Sequence, residues 1–246
     1  MSAQILAVAN QKGGVGKTTT TVNLAASLAS KGRRVLVVDL DPQGNATTGS
    51  GINKATIENG VYQVVLGETD IPNAVVRSKE GGYDVLGANR TLAGAEVELV
   101  QEIAREIRLK NALQLVADDY DYVLIDCPPS LTLLTLNGLV AANGVIVPML
   151  CEYYALEGIS DLVATVRKIR QAINPDLDVT GIVRTMYDSR SRLVVEVSEQ
   201  LKQHFSNLLF DTVIPRNIRL AEAPSHGLPA LAYDAHAKGT QAYLDL

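Results

Sequence analysis

The chain has 246 residues, 47% of them hydrophobic, enough to bury one large core and in keeping with a single α/β unit spanning residues 1–246. A formal charge of −5 excludes a globally basic nucleic-acid binder, so any DNA contact must come from a local patch of lysines and arginines. The 2 cysteines are too few for a disulfide framework or a four-thiolate zinc site. No apolar run reaches the ~18 residues that span a bilayer, and residues 1–10 lack the positively charged start of a signal peptide. A cytoplasmic protein is expected.

Residues 5–9 form a short apolar run that stops at a glycine loop, which reads as a buried strand. Over 16–30, Val22, Leu24, Ala25, Leu28 and Ala29 fall at helical spacing. Lys31-Gly32 supplies that helix with a basic last turn and a glycine stop. A second strand at 35–38 ends in Asp39-Leu40-Asp41-Pro42. The stretch 44–79 holds turn residues and one short helix around 61–66, and 83–86 reads as a strand. Residues 95–117 read as helical, in one or two pieces, with a solvated charged face.

The strand at 122–125 closes on Asp126-Cys127-Pro128-Pro129. Strands at 145–149, 179–186 and 209–214 follow, with helices at 156–173 and 193–205 between them and a last helix from about 238. Cys127 and Cys151 end strand runs and read as small buried hydrophobes. Strands alternating with helices imply right-handed crossovers and a mostly parallel twisted sheet flanked by helices.

Lys12-Gly13-Gly14-Val15-Gly16-Lys17-Thr18-Thr19 lies between the first strand and the first helix, the context a phosphate-binding P-loop requires. The common spelling has its first glycine where this chain has Gln11, and an extra lysine, Lys12, opens the loop instead. Glycines let successive N–H groups turn inward toward phosphate oxygens, and the helix N-terminus adds its dipole. Lys17 is placed to reach the β- and γ-phosphates, and Thr18 to ligate Mg²⁺.

Asp39, Asp41 and Asp126 stand at strand carboxyl ends, which face the ligand crevice in an open α/β sheet. Acids after strands also serve as turn formers and helix caps. Three of them beside a P-loop point to magnesium and water. Asp126, after its apolar run, is the candidate to hold Mg²⁺, with Asp39 supporting it.

Taken together, these segments resemble the deviant Walker A class of P-loop ATPases, and within it the chromosomal ParA (Soj) proteins. The resemblance covers essentially the whole chain. Besides the loop, it rests on Asp39-Leu40-Asp41-Pro42-Gln43-Gly44-Asn45-Ala46-Thr47, on Asp126-Cys127-Pro128-Pro129-Ser130 and on Glu152-Tyr153-Tyr154-Ala155-Leu156-Glu157-Gly158. Thr185-Met186-Tyr187-Asp188 and the run from Val213 to Ser225 continue it.

The resemblance implies an ATPase that uses ATP/ADP and Mg²⁺ and dimerises around two ATP molecules. It implies non-specific binding of double-stranded DNA by that dimer, a nucleoid-associated location, and hydrolysis stimulated by a ParB (Spo0J)-type partner. It implies that Lys12 crosses the dimer interface to the partner's nucleotide, that Asp41 orients the attacking water, and that Glu152 reaches the partner's ribose. Pro215 and Asn217 match the adenine-contacting segment. By spacing alone Arg190, Arg192, Arg216 and Arg219 are surface charges in two late loops; the resemblance assigns Arg190 and Arg219 to DNA. The last helix usually runs further in relatives, so a continuation past Leu246 is expected, and no helix-turn-helix of the autorepressing plasmid type precedes the loop. A MinD-like membrane-cycling ATPase is the alternative, and it needs a C-terminal amphipathic helix with opposed lysines. An iron–sulfur carrier would need a Cys-x-x-Cys pair or similarly exposed thiols, which this pattern does not offer. A P-loop synthetase acting on a small molecule is a further rival.

Overall fold

Runs of Val, Leu, Ile and Ala at consecutive positions make strands that are apolar on both faces, as a parallel sheet covered on both sides demands. In the computed structural model, which describes residues 3–246, these runs become β1 (Gln4–Val8), β2 (Val35–Asp39), β3 (Val75–Ser78), β4 (Tyr83–Leu86), β5 (Tyr122–Asp126), β6 (Gly144–Leu150), β7 (Asp178–Tyr187) and β8 (Leu209–Pro215). Met1 and Ser2, part of the N-terminal signal reading, lie outside the described residues. The strands form one 8-stranded sheet in the order β3-β4-β2-β5-β1-β6-β7-β8. All neighbours are parallel except β3, which pairs antiparallel with β4 at one edge.

Between the strands run α1 (Lys17–Ser30), α2 (Asn45–Gly49), α3 (Val61–Leu66), α4 (Ile71–Ala74), α5 (Leu92–Glu98), α6 (Arg108–Gln114) and α7 (Leu133–Ala141). The later helices are α8 (Ala155–Ala172), α9 (Arg192–Phe205), α10 (Ile218–Glu222), α11 (Ala230–Tyr233) and α12 (Lys238–Asp245). Alternation along each strand divides the core in two. Leu6, Val8, Val37 and Leu124 pack with Val22 and Ala25 of α1 and Tyr243 of α12. Ala7, Leu36, Val38 and Ile125 pack on the other face with side chains of α3 and α5 to α9. On α8, Ile159, Leu162, Val166 and Ile169 recur at helical spacing and make its buried stripe. Each such side chain contributes about 1.5–3 kcal/mol by leaving water.

The structure decides one alternative the sequence left open, two pieces rather than one over 95–117, and adds elements the sequence did not suggest. The helix over 95–117 is interrupted: α5 gives way to a 3₁₀ turn at Leu99–Gln101, and Ala104 takes a left-handed φ of 55° before α6 begins. Asn137 holds the break, donating to the Arg105 carbonyl at 2.8 Å and accepting from the Leu109 N–H at 3.2 Å. Helix α7 is unexpected, as is β3 within the polar stretch 44–79. The parallel ladder brings the carboxyl ends of β1, β2, β5, β6, β7 and β8 to one edge of the sheet, where an α/β crevice forms.

Candidate active site

The loop after β1 supplies the cradle. Gly14 and Gly16 take left-handed φ values of 74° and 88°, a conformation that costs glycine nothing. A Cβ built on Gly13 or Gly14 would meet no atom within 4 Å, so at Gly14 the requirement is backbone freedom rather than space. Gly16 caps α1 without a side-chain hydrogen bond, leaving the first N–H groups of a 14-residue helix aimed at the loop.

Lys17 begins that helix and is buried, with Nζ donating to the Lys12 carbonyl at 3.1 Å. Burial lowers its pKa, while the nearby Asp126 works in the opposite direction. The β2–β5 register sets Asp39 opposite Asp126, and both are fully buried. Asp126 accepts from the hydroxyls of Thr18 at 2.7 Å and Thr21 at 3.1 Å. Asp39 accepts from the Thr47 N–H at 2.9 Å, the Thr47 hydroxyl at 2.7 Å and the Asp41 N–H at 3.1 Å. Burial raises both carboxyl pKa values, and the charge of Asp39 raises that of Asp126 further. Two buried acids with few cations around them favour a proton or a divalent cation. Asp41, half-buried, uses Oδ1 to accept the Gln43 N–H at 2.9 Å.

Asp39 thus organises Asp41 and α2 with both its oxygens, and Asp126 with Thr18 makes the oxygen donor pair nearest the loop. Among the described residues no group of three or more His, Cys, Asp or Glu side chains forms a closed metal cage. A partial oxygen set suits magnesium, which keeps waters and phosphate oxygens among its ligands.

Lys12 and Glu152, for which the resemblance implies contacts with a partner subunit, pair with each other within this chain, and both are about half exposed. Beside the loop, a cavity of about 220 Å³ is walled by Thr185, Met186, Ile214, Pro215, Asn217 and Tyr243, an apolar slot of the kind a purine base fills. Pro215 and Asn217, which the resemblance assigns to the adenine-contacting segment, both line this cavity. Sequence reasoning misses Met186, Thr185 and Tyr243: Met186 holds a left-handed φ of 49°, and Tyr243 reaches back from α12 to the Thr20 hydroxyl at 3.0 Å.

The arginines divide between the ends of the adjacent strands β7 and β8, though Arg192 and Arg219 sit in the first turns of α9 and α10 rather than in loops. Arg190 pairs with Asp188 at 2.8 Å and Arg192 with Glu196 at 2.7 Å. Arg219 pairs with Glu222 at 2.9 Å and Asp234 at 3.4 Å. Arg190 holds the Asp188 carboxyl down to about 2, chiefly through its side-chain hydrogen bonds. Among the described residues Arg216 is the one of these four with no carboxylate partner. Cys127 and Cys151 are buried, and burial raises both thiols, Cys151 to about 11.

Comparison with known proteins places this geometry in a family. The AAA domain family matches residues 3–179. The chain is 52% identical to the sporulation initiation inhibitor protein Soj of Bacillus subtilis over 99% of its own length and 96% of that protein's. It is 48% identical to the chromosome partitioning protein ParA of Caulobacter vibrioides, covering 99% of this chain and 92% of that one. Among solved structures, cobyrinic acid a,c-diamide synthase from Mycobacterium smegmatis, with bound ATP analog and magnesium, superposes with a TM-score of 0.86 at 41% identity, covering 99% of this chain and 92% of that one. A P-loop between β1 and α1, acids at the ends of β2 and β5, and near full-length identity to partition proteins all agree: the chain belongs to the ParA/Soj family of chromosome-partitioning P-loop ATPases.

Proposed function

We propose that the chain, acting as one ATPase domain over residues 1–246, couples ATP hydrolysis to cycles of dimerisation and non-specific DNA binding, with release driven by a ParB-type partner. The observation that carries this is the fully buried Asp126 carboxylate, bound by the Thr18 and Thr21 hydroxyls at the foot of the glycine cradle beside Lys17. The M. smegmatis relative holds an ATP analog and magnesium, and hard oxygen donors beside a nest of N–H groups fit the same pair here.

In this reading the N–H groups of Gly13 to Thr19, Val15 included, cradle the phosphates. Lys17 turns from the Lys12 carbonyl to the β- and γ-phosphate oxygens. Thr18 and Asp126 would hold magnesium, which would supply positive charge against the phosphates. Asp39 fixes the N–H of Asp41, and Asp41 orients the water that attacks the γ-phosphorus. The bond to the bridging oxygen breaks, and ADP and phosphate leave; the chemistry asks for positioning and charge neutralisation rather than a covalent nucleophile. Pro215 and Asn217 border the adenine.

Lys12 exchanges Glu152 for the partner's phosphates as two chains meet, and Glu152 is released to the partner's ribose. An exposed ion pair is weak enough to allow this exchange. The DNA face is the cluster Arg190, Arg192, Arg216 and Arg219, and the working location is the nucleoid within the cytoplasm. No helix is long and apolar enough to cross a membrane among the described residues.

The test is oligomeric state and DNA binding measured with ATP, with ADP and without nucleotide. A dimer and a DNA complex only with ATP are expected. A chain that stays monomeric with ATP and magnesium as Asp41→Ala sinks the proposal. Sedimentation with liposomes in place of DNA would move the reading to the MinD-like alternative.

A further inference from the structure

A central strand of a parallel sheet rarely contains proline, because proline lacks the N–H that the ladder uses. Pro148 nevertheless sits inside β6, between β1 and β7. The register explains where it is tolerated. Val8 of β1 stands opposite Ile146, and the Ala9 N–H donates to the Ile146 carbonyl at 3.1 Å. Two residues further on, the ladder would bring Gln11 to the Pro148 carbonyl, and the donor that proline lacks would face the same side. The donor that proline lacks would have met the Ala9 carbonyl, at the end of the β1 ladder; beyond it the chain turns into the glycine loop, so the Pro148 carbonyl finds no ladder donor.

The stranded carbonyl is taken by a side chain. Asn10 Nδ2 donates to the Pro148 carbonyl at 2.8 Å, while Asn10 Oδ1 accepts the Lys12 N–H at 2.9 Å. One carboxamide therefore replaces the next ladder bond and closes a turn two residues long at the loop entrance. The Lys12 carbonyl is held in its turn by Lys17 Nζ. Both backbone polar groups of Lys12 are thereby fixed, one to the sheet through Asn10 and one to the phosphate-binding lysine.

We propose that Asn10 is a positioning residue for Lys12: it tethers the loop entrance to β6 so that the Lys12 side chain leaves the backbone at the angle needed to reach a partner subunit's nucleotide. The inference rests on the proposed cross-subunit role of Lys12. Asn10 touches no phosphate in this scheme, and it acts only by placing another residue. A misplacement of about 1 Å at a charge-neutralising group lowers a rate by up to about 100-fold, so an unsupported Lys12 loses most of its effect. Ground-state nucleotide binding depends on the amide nest and Lys17 and is largely spared.

The experiment is ATP hydrolysis by the full chain, with magnesium and double-stranded DNA, across a range of protein concentrations. The concentration-dependent rate belongs to the dimer. Binding of a fluorescent ATP analogue is read in parallel, and native, Asn10→Ala, Lys12→Ala and the double variant are compared. Lys12→Ala keeps its backbone N–H, so the Asn10 turn survives in it. Asn10→Ala should lower the dimer rate about tenfold with analogue affinity within about threefold of native. Adding it to Lys12→Ala should lower the rate no further, since residues that act through one another are not additive.

A native dimer rate in Asn10→Ala, with Lys12→Ala inactive, overturns the positioning role and leaves the Lys12 reading standing. The positioning role also falls if the two losses add, or if affinity drops as much as rate. A full dimer rate in Lys12→Ala overturns both together. If Asn10→Ala does not fold, Asn10→Ser is put through the same cycle: serine keeps an acceptor for the turn and cannot span to Pro148.

Discussion

Asp41 differs from Asp39 and Asp126 in being only half-buried, with one oxygen tied to a turn. Its Oδ1 accepts the Gln43 N–H, so a substitution tests two roles at once unless the turn is preserved. Asp41→Asn keeps an acceptor there and Asp41→Ala does not. If Asp41 orients water, both should lower hydrolysis by about 100-fold or more while an ATP dimer persists on DNA, as loss of a positioned base commonly does. A defect in Asp41→Ala alone would assign the residue to the turn. The buried pair behind it makes a pH prediction. Burial raises the Asp39 and Asp126 pKa values above those of the unfolded chain. The folded state then holds more protons than the unfolded state between the two ranges, and stability falls as pH rises through that window. Without nucleotide or magnesium, the urea midpoint should be lower at about pH 8 than at about pH 5.5, and Asp126→Asn should flatten the difference. A midpoint that rises with pH would contradict the buried charge pair. At this scale the sequence displays Lys17, Thr18 and Asp126 because glycines and apolar runs frame them. It hides Thr21, Thr185 and Asn10, whose partners lie 105, 170 and 138 residues away. Threonine and asparagine carry no local sign of such a bond.

Helix α7 is short, strongly apolar and runs unbroken through Gly138, where close packing outweighs low helix propensity. A Cβ there would stand 2.9 Å from Leu40 Cδ1, 3.1 Å from Cys127 Sγ and 3.3 Å from Ile125 Cγ2. The glycine lets α7 lie down on β5 directly behind Asp126. Gly138→Val should destabilise the fold by about 3 kcal/mol through overpacking, seen as a melting temperature about 10 °C lower. A shift under about 2 °C would mean that α7 can ride away from the sheet at little cost. The same element shows what periodicity can and cannot reveal. The strands of the parallel core are legible because β-branched runs bounded by glycine and aspartate have few other uses, and α8 announces itself by Ile159, Leu162, Val166 and Ile169. Helix α7, apolar nearly all round, has no polar face to set a period. The break between α5 and α6 is illegible for another reason: its cause, the Asn137 carboxamide, is contributed from α7. Edge strand β3 pairs through backbone groups with half its side chains in solvent, so its sequence needs no alternation.

The molecule as a whole is acidic, and a dimer would carry −10, twice the −5 of one chain. Any affinity for a polyanion must therefore arise where carboxylates leave cations unneutralised. Arg190, Arg192 and Arg219 are each engaged by an acid of the same chain, and a phosphate has to compete with that acid. Arg216 makes no ion pair among the described residues, although Asp188 feels its charge, and Arg219 stands three residues away on the same end of β8. With these two as the contacts, a dimer reaches roughly four phosphates, and counterion release gives a slope of about −3.6 in log affinity against log salt. Raising salt from about 50 to about 200 mM should then weaken the ATP-dimer complex roughly 100-fold, with little preference among sequences. Arg216→Ala and Arg219→Ala should each reduce the slope by about 2 while ATP-dependent dimerisation is retained. Arg192→Ala, releasing Glu196 as well as removing a paired cation, should change the slope least. Salt titrations of fluorescent duplex DNA check this order. A native slope in both Arg216→Ala and Arg219→Ala would remove the β8 end from the DNA face, and the contact would then have to lie with Arg190 at the end of β7.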